Sequence, residues 1–382
     1  MKKYTLTIAA RWLYQWWWWA FIRKIIISMI NSDSLKKIFL ISDETIRGLD
    51  VDPSLQNKIT HFRIKTIRGG FLFNYPYFFI KSFFLIRNKN LEKKSDLIIA
   101  NNSIATFSKK KISIMHNSQL LLGFWYCRKL FFNPLFNILW FLAHNFYIFF
   151  DFFDIISSKI TYCVGNDTFR VYNYFFKKKV SRINNFLFFE DDISKINKRI
   201  RNNKKIVILM VSRLEPLKWI ADSCVILGRQ KSFIEKSLKK KVEIRVVWFW
   251  YEANIIKKIK WINFLWQLPE NKIRLQLRES DLFILPSYHD NFPTTLLEWM
   301  YYGNLLLIRR SSGEGKYLLH NSEQLFSYLE ELPKKIVDFL LFPERIKQDI
   351  INRNRNLVKL YTHDSFHGNL FSIFHKLGWR KF

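Results

Sequence analysis

Two carboxylates, Asp290 and Glu298, stand with seven residues between them in the stretch Ser280–Gly303, SDLFILPSYHDNFPTTLLEWMYYG. Asp281–Pro286, ahead of the first acid, is a short apolar run closed by proline, the pattern of a buried strand. Ser287–Pro293 is a polar loop, and Thr294–Tyr302 has the composition of a helix opening on threonine hydroxyls. A strand that turns into a helix aims backbone N–H groups above the sheet, and the helix N-terminus favours an anion there. An acid on the same helix accepts hydrogen bonds from sugar hydroxyls. Phosphate beside sugar is the chemistry of a nucleotide-sugar.

The stretch resembles the donor-site motif of family 4 glycosyltransferases of GT-B fold, a pattern like EGFPxxxLEAMAxG. Here it is DNFPTTLLEWMYYG, with Asp290 for the first acid and Asn291 for the glycine. Farther upstream, Ile206–Val211 (IVILMV) is a near-continuous apolar run typical of a strand buried on both faces. Ser212–Trp219 follows it and is similar to the family's GRLxxxKG segment, with Arg213 and Lys218 in register. In the family those cations grip the donor diphosphate. The chemistry agrees, because charge develops on a leaving nucleotide diphosphate and fixed cations stabilise it.

The resemblance implies an α/β chain of GT-B fold, two Rossmann-like domains facing across a cleft. It implies transfer of a sugar to an acceptor hydroxyl with retention, without a bound metal and with no cofactor beyond the nucleotide-sugar co-substrate. Arg213 and Lys218 would hold the diphosphate, Glu298 the ribose and Asp290 the sugar hydroxyls. The backbone around Asn291, Phe292, Pro293, Thr294 and Thr295 would complete the phosphate cradle. Asn291 in the glycine position costs backbone freedom if its φ is positive. Lys111–Met115 is a strand ending at His116, and the resemblance gives that histidine an approach to the donor sugar. The first loop of the fold faces the cleft in relatives, which makes Trp16 and Trp17 donor-facing.

The elements that position these residues follow in order. Tyr4–Ala9, Lys37–Ser42, Lys58–Ile67, Asp96–Ala100, Lys111–Met115 and Ile160–Val164 are expected strands of a first Rossmann-like half, with helices at Ala20–Ile30 and Tyr75–Arg87. Asp167–Phe176 is a further helix, with Asn166 as its cap. Leu120–Ile156 is strongly apolar but broken by Arg128, Lys129, Pro134, His144 and Asp151, so packed helices with an aromatic face toward a bilayer fit better than a span. The second half continues with strands at Val242–Trp248, Trp261–Leu268 and Asn304–Ile308. A helix is expected at Asn271–Glu279, and Lys316–Asn356 is mostly helical.

At 382 residues and 46.5 kDa the chain is long enough for two domains with their own cores. The polar run Ser194–Lys205 divides them, giving an acceptor domain at 1–195, a donor domain at 196–362 and a closing helix at 363–382 that returns to the first domain. Three dispersed cysteines form no disulfide framework, and no signal peptide is expected behind Lys2 and Lys3. The net charge of +31 draws phosphate-rich partners, although part of that excess follows a genome rich in A and T. A nucleic-acid binder would cluster its basic residues with aromatics on one face, whereas here they spread over both halves. The expected partners are therefore a nucleotide-sugar, a lipid-linked or saccharide acceptor and an anionic membrane surface, without nucleic acid. The expected place is cytoplasmic, peripheral on the inner face of the cell membrane, in cell-envelope glycan synthesis. A sugar epimerase or phosphorylase of the same fold, or a basic membrane- or nucleic-acid-binding protein without catalysis, is the alternative.

Tryptophan, at 14 residues, outnumbers glycine, at 11. By the resemblance, Trp219, Trp248, Trp250, Trp266 and Trp16–Trp19 stand at family glycine positions. The expectation is that many of these residues are glycine in the organism, one codon having been given the wrong meaning.

Overall fold

In the computed structural model the described residues are 3–10, 25–27, 29–30, 32–43, 53–65, 71–101, 108–116, 118, 120–122, 134–186, 205–212, 216–247, 253–319 and 322–362. They divide into two compact units, one within Met1–Asn185 and one within Phe186–Ser365.

The first unit is a parallel sheet of β1 (Tyr4–Ala10), β2 (Leu35–Ser42), β3 (Ile59–Arg63), β4 (Leu97–Asn101), β5 (Lys111–Met115), β6 (Ile160–Val164) and β7 (Val180–Ile183). Their order is β3-β2-β1-β4-β5-β6-β7. β4 and β5 are buried along their whole length, as near-continuous apolar strands in a two-sided parallel sheet should be. The order reverses between β1 and β4, where a Rossmann-like sheet opens its crevice. β3 lies within the expected Lys58–Ile67: the 3-10 turn Pro53–Lys58 takes the first residue, Ile64 and Lys65 continue without regular structure, and residues 66–67 lie outside the described ones.

Three helices of this unit matter here: α1 (Phe71–Asn88), α2 (Pro134–Ser157) and α3 (Asn166–Phe176). Pro134 is the first described residue of α2, so the helix that runs from it to Ser157 is not broken by proline. No helix among the described residues is long and apolar enough to cross a membrane. Lys111, wholly buried, pairs with the Asp154 carboxylate and donates to Ser157 Oγ at 2.8 Å, tying the end of α2 to β5. Asn166 does not cap α3. Gly165 holds that position at φ 86°, a backbone state glycine adopts freely, while Asn166 Oδ1 accepts from Arg182 Nη1 at 2.8 Å.

The second unit is a parallel sheet of β8 (Lys205–Val211), β9 (Lys241–Val247), β10 (Ile262–Phe264), β11 (Leu282–Leu285), β12 (Leu305–Arg309) and β13 (Leu325–Phe326). Its order is β10-β9-β8-β11-β12-β13, with the reversal between β8 and β11. Around it lie α4 (Ile220–Arg229), α5 (Lys231–Leu238), α6 (Glu270–Glu279), α7 (Thr294–Tyr302), α8 (Leu332–Leu340) and α9 (Glu344–Val358). Ile208, Met210, Ile220, Cys224, Ile284 and Leu307 are wholly buried in its core. The expected strand Trp261–Leu268 contracts to β10, after which Trp266 turns left-handed at φ 56°. Trp219 does the same at φ 54°. That conformation costs an L-residue with a Cβ roughly 1–2 kcal/mol.

Candidate functional site

β8 and β11 are hydrogen-bonded neighbours, with Leu282 opposite Ile208 and Phe283 opposite Leu209. The loops leaving their carboxyl ends therefore meet at the reversal of strand order, the place where open α/β sheets bind ligands. After β8 the chain makes one 3-10 turn, Pro216–Lys218, and passes Trp219 into α4. After β11 it runs through Pro286–Pro293 into α7. Two bonds tie these loops together. The Tyr288 N–H donates to the Leu217 carbonyl at 2.8 Å, and Lys218 Nζ donates to Asp290 Oδ2 at 2.6 Å. The side chain of Lys218 is 9% exposed and that of Asp290 22%, so water and salt screen the pair less than a surface one.

Asn291 is buried and does not have a positive φ, so its side chain in the glycine position of the motif brings no backbone strain. Phe292 is buried against Tyr361, ring centroids 5.9 Å apart. Pro293, not a threonine, is the cap residue of α7, and it makes no side-chain cap bond. Thr294 and Thr295 are buried in the first turn. No capping side chain occupies that helix end, the arrangement that suits an anion. Glu298, half-buried, sits one turn further along the face that carries Thr294 and Thr295.

A third loop, after β12, locks the second. The Glu314 N–H donates to the Asn291 carbonyl at 3.1 Å. Gly313 has φ 41°, and a Cβ there would lie 2.0 Å from the Asp290 carbonyl oxygen. Gly313→Ala should therefore destabilise the fold by about 3 kcal/mol, from left-handed strain plus overpacking. A urea midpoint equal to that of the parent chain would show that this contact does not set the loop.

Arg309 is the residue sequence reasoning missed. It ends β12, is 6% exposed, and holds its guanidinium carbon 4.0 Å from the Trp219 ring and 4.7 Å from that of Tyr288. Those two rings stack at 5.3 Å, and Arg309 Nε donates to the Ser327 carbonyl at 3.2 Å. Burial lowers its pKa, against the opposing pull of Tyr288. The available signal was a cation closing an apolar strand next to β11.

The structure thus brings together Lys218, Asp290, Asn291 and the start of α7. Arg213, Trp16 and Trp17 lie outside the described residues, as do the run at 194–204 and the closing segment at 363–382. Among the described residues, no group of three or more His, Cys, Asp or Glu is placed to hold a metal ion.

His116 belongs to the first unit, directly after β5, and burial pushes its pKa down to about 4. The folded value lies below the ordinary 6.5, so protonation favours the unfolded chain. The stability contributed by the neutral ring is complete above pH 6.5 and is lost toward pH 4, at about 1.4 kcal/mol per pH unit. His144, pushed down to about 3 by burial, acts in the same direction. His116→Gln should flatten part of the acid limb of stability between pH 6.5 and 4. An unchanged limb in chemical denaturation at those pH values would contradict the burial assigned to His116.

Residues 191–354 match the family of glycosyl transferases, group 1. Several solved structures resemble nearly the whole chain. Anabaena HepE in complex with UDP and glucose is 12% identical, with TM-score 0.65 over 97% of this chain and 99% of that one. Sucrose-phosphate synthase from Thermosynechococcus elongatus is 10% identical, with TM-score 0.71 over 99% and 100%. WaaG, a glycosyltransferase involved in lipopolysaccharide biosynthesis, is 10% identical, with TM-score 0.67 over 93% and 96%. At such identities the likeness shows the fold, which is GT-B, two Rossmann-like domains. No curated protein matches the chain by sequence.

Proposed function

From the match of residues 191–354 to the glycosyl transferases of group 1, we propose that the chain moves a sugar from a nucleotide-sugar to an acceptor hydroxyl with retention. The observation that carries the reading is the Lys218–Asp290 pair at the reversal of strand order, beside the uncapped start of α7. A donor diphosphate entering there competes with Asp290 for Lys218, and Arg213 supplies a second cation. The released Asp290 carboxylate then accepts from the sugar hydroxyls, while Glu298 accepts from those of the ribose. In the transfer the acceptor oxygen bonds to the anomeric carbon on the face the diphosphate leaves, the bond from that carbon to the diphosphate oxygen breaks, and the proton of the acceptor hydroxyl passes to that departing oxygen. The electron pair of the broken bond leaves on phosphate, where Lys218, Arg213 and the α7 amides stabilise it. The nucleotide-sugar is the co-substrate, and the scheme draws on no further cofactor. HepE with bound UDP and glucose, similar in fold, supports a uridine donor. Calorimetry against UDP-, GDP- and ADP-sugars tests this. Binding of one class is expected, and binding of none would overturn it.

One apolar face favours a membrane site for this activity. Along α2, Ile138, Leu142, Phe146, Phe149, Phe153 and Ile156 are exposed at every third or fourth residue, Phe149 by 71%. Phe79 of α1 packs on Phe150 and Phe153, which brings the exposed Ile80 and Phe84 into the same region. Cations border the stripe: Lys177 and Lys178 are exposed, and Lys179 Nζ donates to the Ile156 and Ser158 carbonyls at the end of α2. An apolar stripe with cations at its end fits the surface of an anionic bilayer. On this reading the enzyme is peripheral on the inner face of the cell membrane and glycosylates a lipid-linked or saccharide acceptor of the envelope. It should float with anionic liposomes at low salt and release as screening shortens. Equal binding to neutral liposomes, or binding to none, would sink the electrostatic docking.

A further inference from the structure

Seven described residues have φ in the left-handed region: Gly165, Gly303, Gly313, Asn90, Lys239, Trp219 and Trp266. Glycine adopts it freely, and asparagine tolerates it better than most residues. Lys239 closes α5, with its N–H on the Lys236 carbonyl, a place where a helix commonly turns left-handed. Tryptophan has neither excuse. Its indole is bulky and offers no short polar group to bond the local backbone. Trp219 (φ 54°) precedes α4, and Trp266 (φ 56°) follows β10, so no single distortion produces both.

Neighbouring bonds hold each turn as it is. The Ser223 N–H and Oγ both donate to the Trp219 carbonyl, at 3.1 and 2.7 Å. The Leu265 N–H donates to the Val246 carbonyl at 2.9 Å, fixing the chain just before Trp266. The indole of Trp266 remains 45% exposed, stacked under Lys257 at 3.6 Å. Its burial therefore does little to compensate a strained backbone.

We propose that the polypeptide made in the native organism carries glycine at positions 219 and 266. The codon at both places would be one that one genetic code reads as tryptophan and another as glycine. A chain in which tryptophan outnumbers glycine, 14 to 11, is what such a reading would produce. On the donor-site reading above, glycine at 219 also clears the indole from beside Tyr288 and Arg309, next to Lys218. The coding inference stands apart from that reading, and so does its test.

Mass spectrometry of the native protein decides it, on the peptide spanning Lys205–Arg229 and on one covering position 266. Glycine at both positions is expected, and tryptophan at either overturns the proposal. A second readout uses the chain as sequenced and tests the backbone alone. Trp266→Gly should unfold at a higher urea midpoint than Trp266→Ala, because alanine keeps the Cβ that the left-handed turn disfavours. An equal or reversed order would overturn the conformational argument.

Discussion

Glu298→Gln should lower kcat/KM by about 10²-fold while leaving the unfolding midpoint close to that of the parent chain. A carboxylate that accepts from sugar hydroxyls makes charge-assisted bonds worth about 1.5–3 kcal/mol each, and about 1.4 kcal/mol is a factor of ten. Glutamine keeps the shape of the side chain and one acceptor oxygen but loses the charge and the second acceptor. Glu298 is half-buried on a nine-residue helix whose neighbours Leu297 and Trp299 carry the packing, so the fold should tolerate the exchange. Steady-state rates with the donor identified by calorimetry check this. Undiminished transfer would remove Glu298 from the site.

The larger effect is expected at Lys218. Replacing it with alanine removes the cation that would face the diphosphate and leaves Asp290 without its 2.6 Å partner, a bare negative charge beside an anionic ligand. Loss of attraction and gain of repulsion act in the same direction, so the affinity for UDP should fall by about 10²–10³-fold. Lys218→Arg should recover only part of it, since a planar fork does not reproduce a compact point charge. Titration calorimetry with UDP gives the numbers directly. Affinity unchanged in Lys218→Ala would mean that the diphosphate is held elsewhere.

Much of this arrangement was legible in the sequence where local pattern and tertiary demand agree. β5, β6 and α7 occupy the expected residues, because each is a strongly periodic or uniformly apolar segment with clear stops. Lys218 and Asp290, 72 positions apart, came from two separate motifs, and the structure joins them in one ion pair. Weak local signals account for what was missed. β7 is only Val180–Ile183, half-polar and directly behind a basic run, and β13 is two residues long, so both exist through pairing with a neighbour strand. Asn166 looked like a cap because asparagine often is one, but the chain needs a positive φ at the preceding residue, which Gly165 supplies. Arg309 gave no motif at all. Its place beside Trp219 and Tyr288 follows from strand order, which no local window contains.

Hydrogen–deuterium exchange of the full chain with and without saturating UDP tests the donor site itself, because it locates the nucleotide rather than only detecting it. The loops at 216–219 and 286–293 and the first turn of α7 should exchange more slowly with UDP bound, and Lys218→Ala should abolish that protection at the same UDP concentration. Protection confined to other segments, or none in these three while calorimetry reports binding, would contradict a donor site built on Lys218, Asp290 and Glu298.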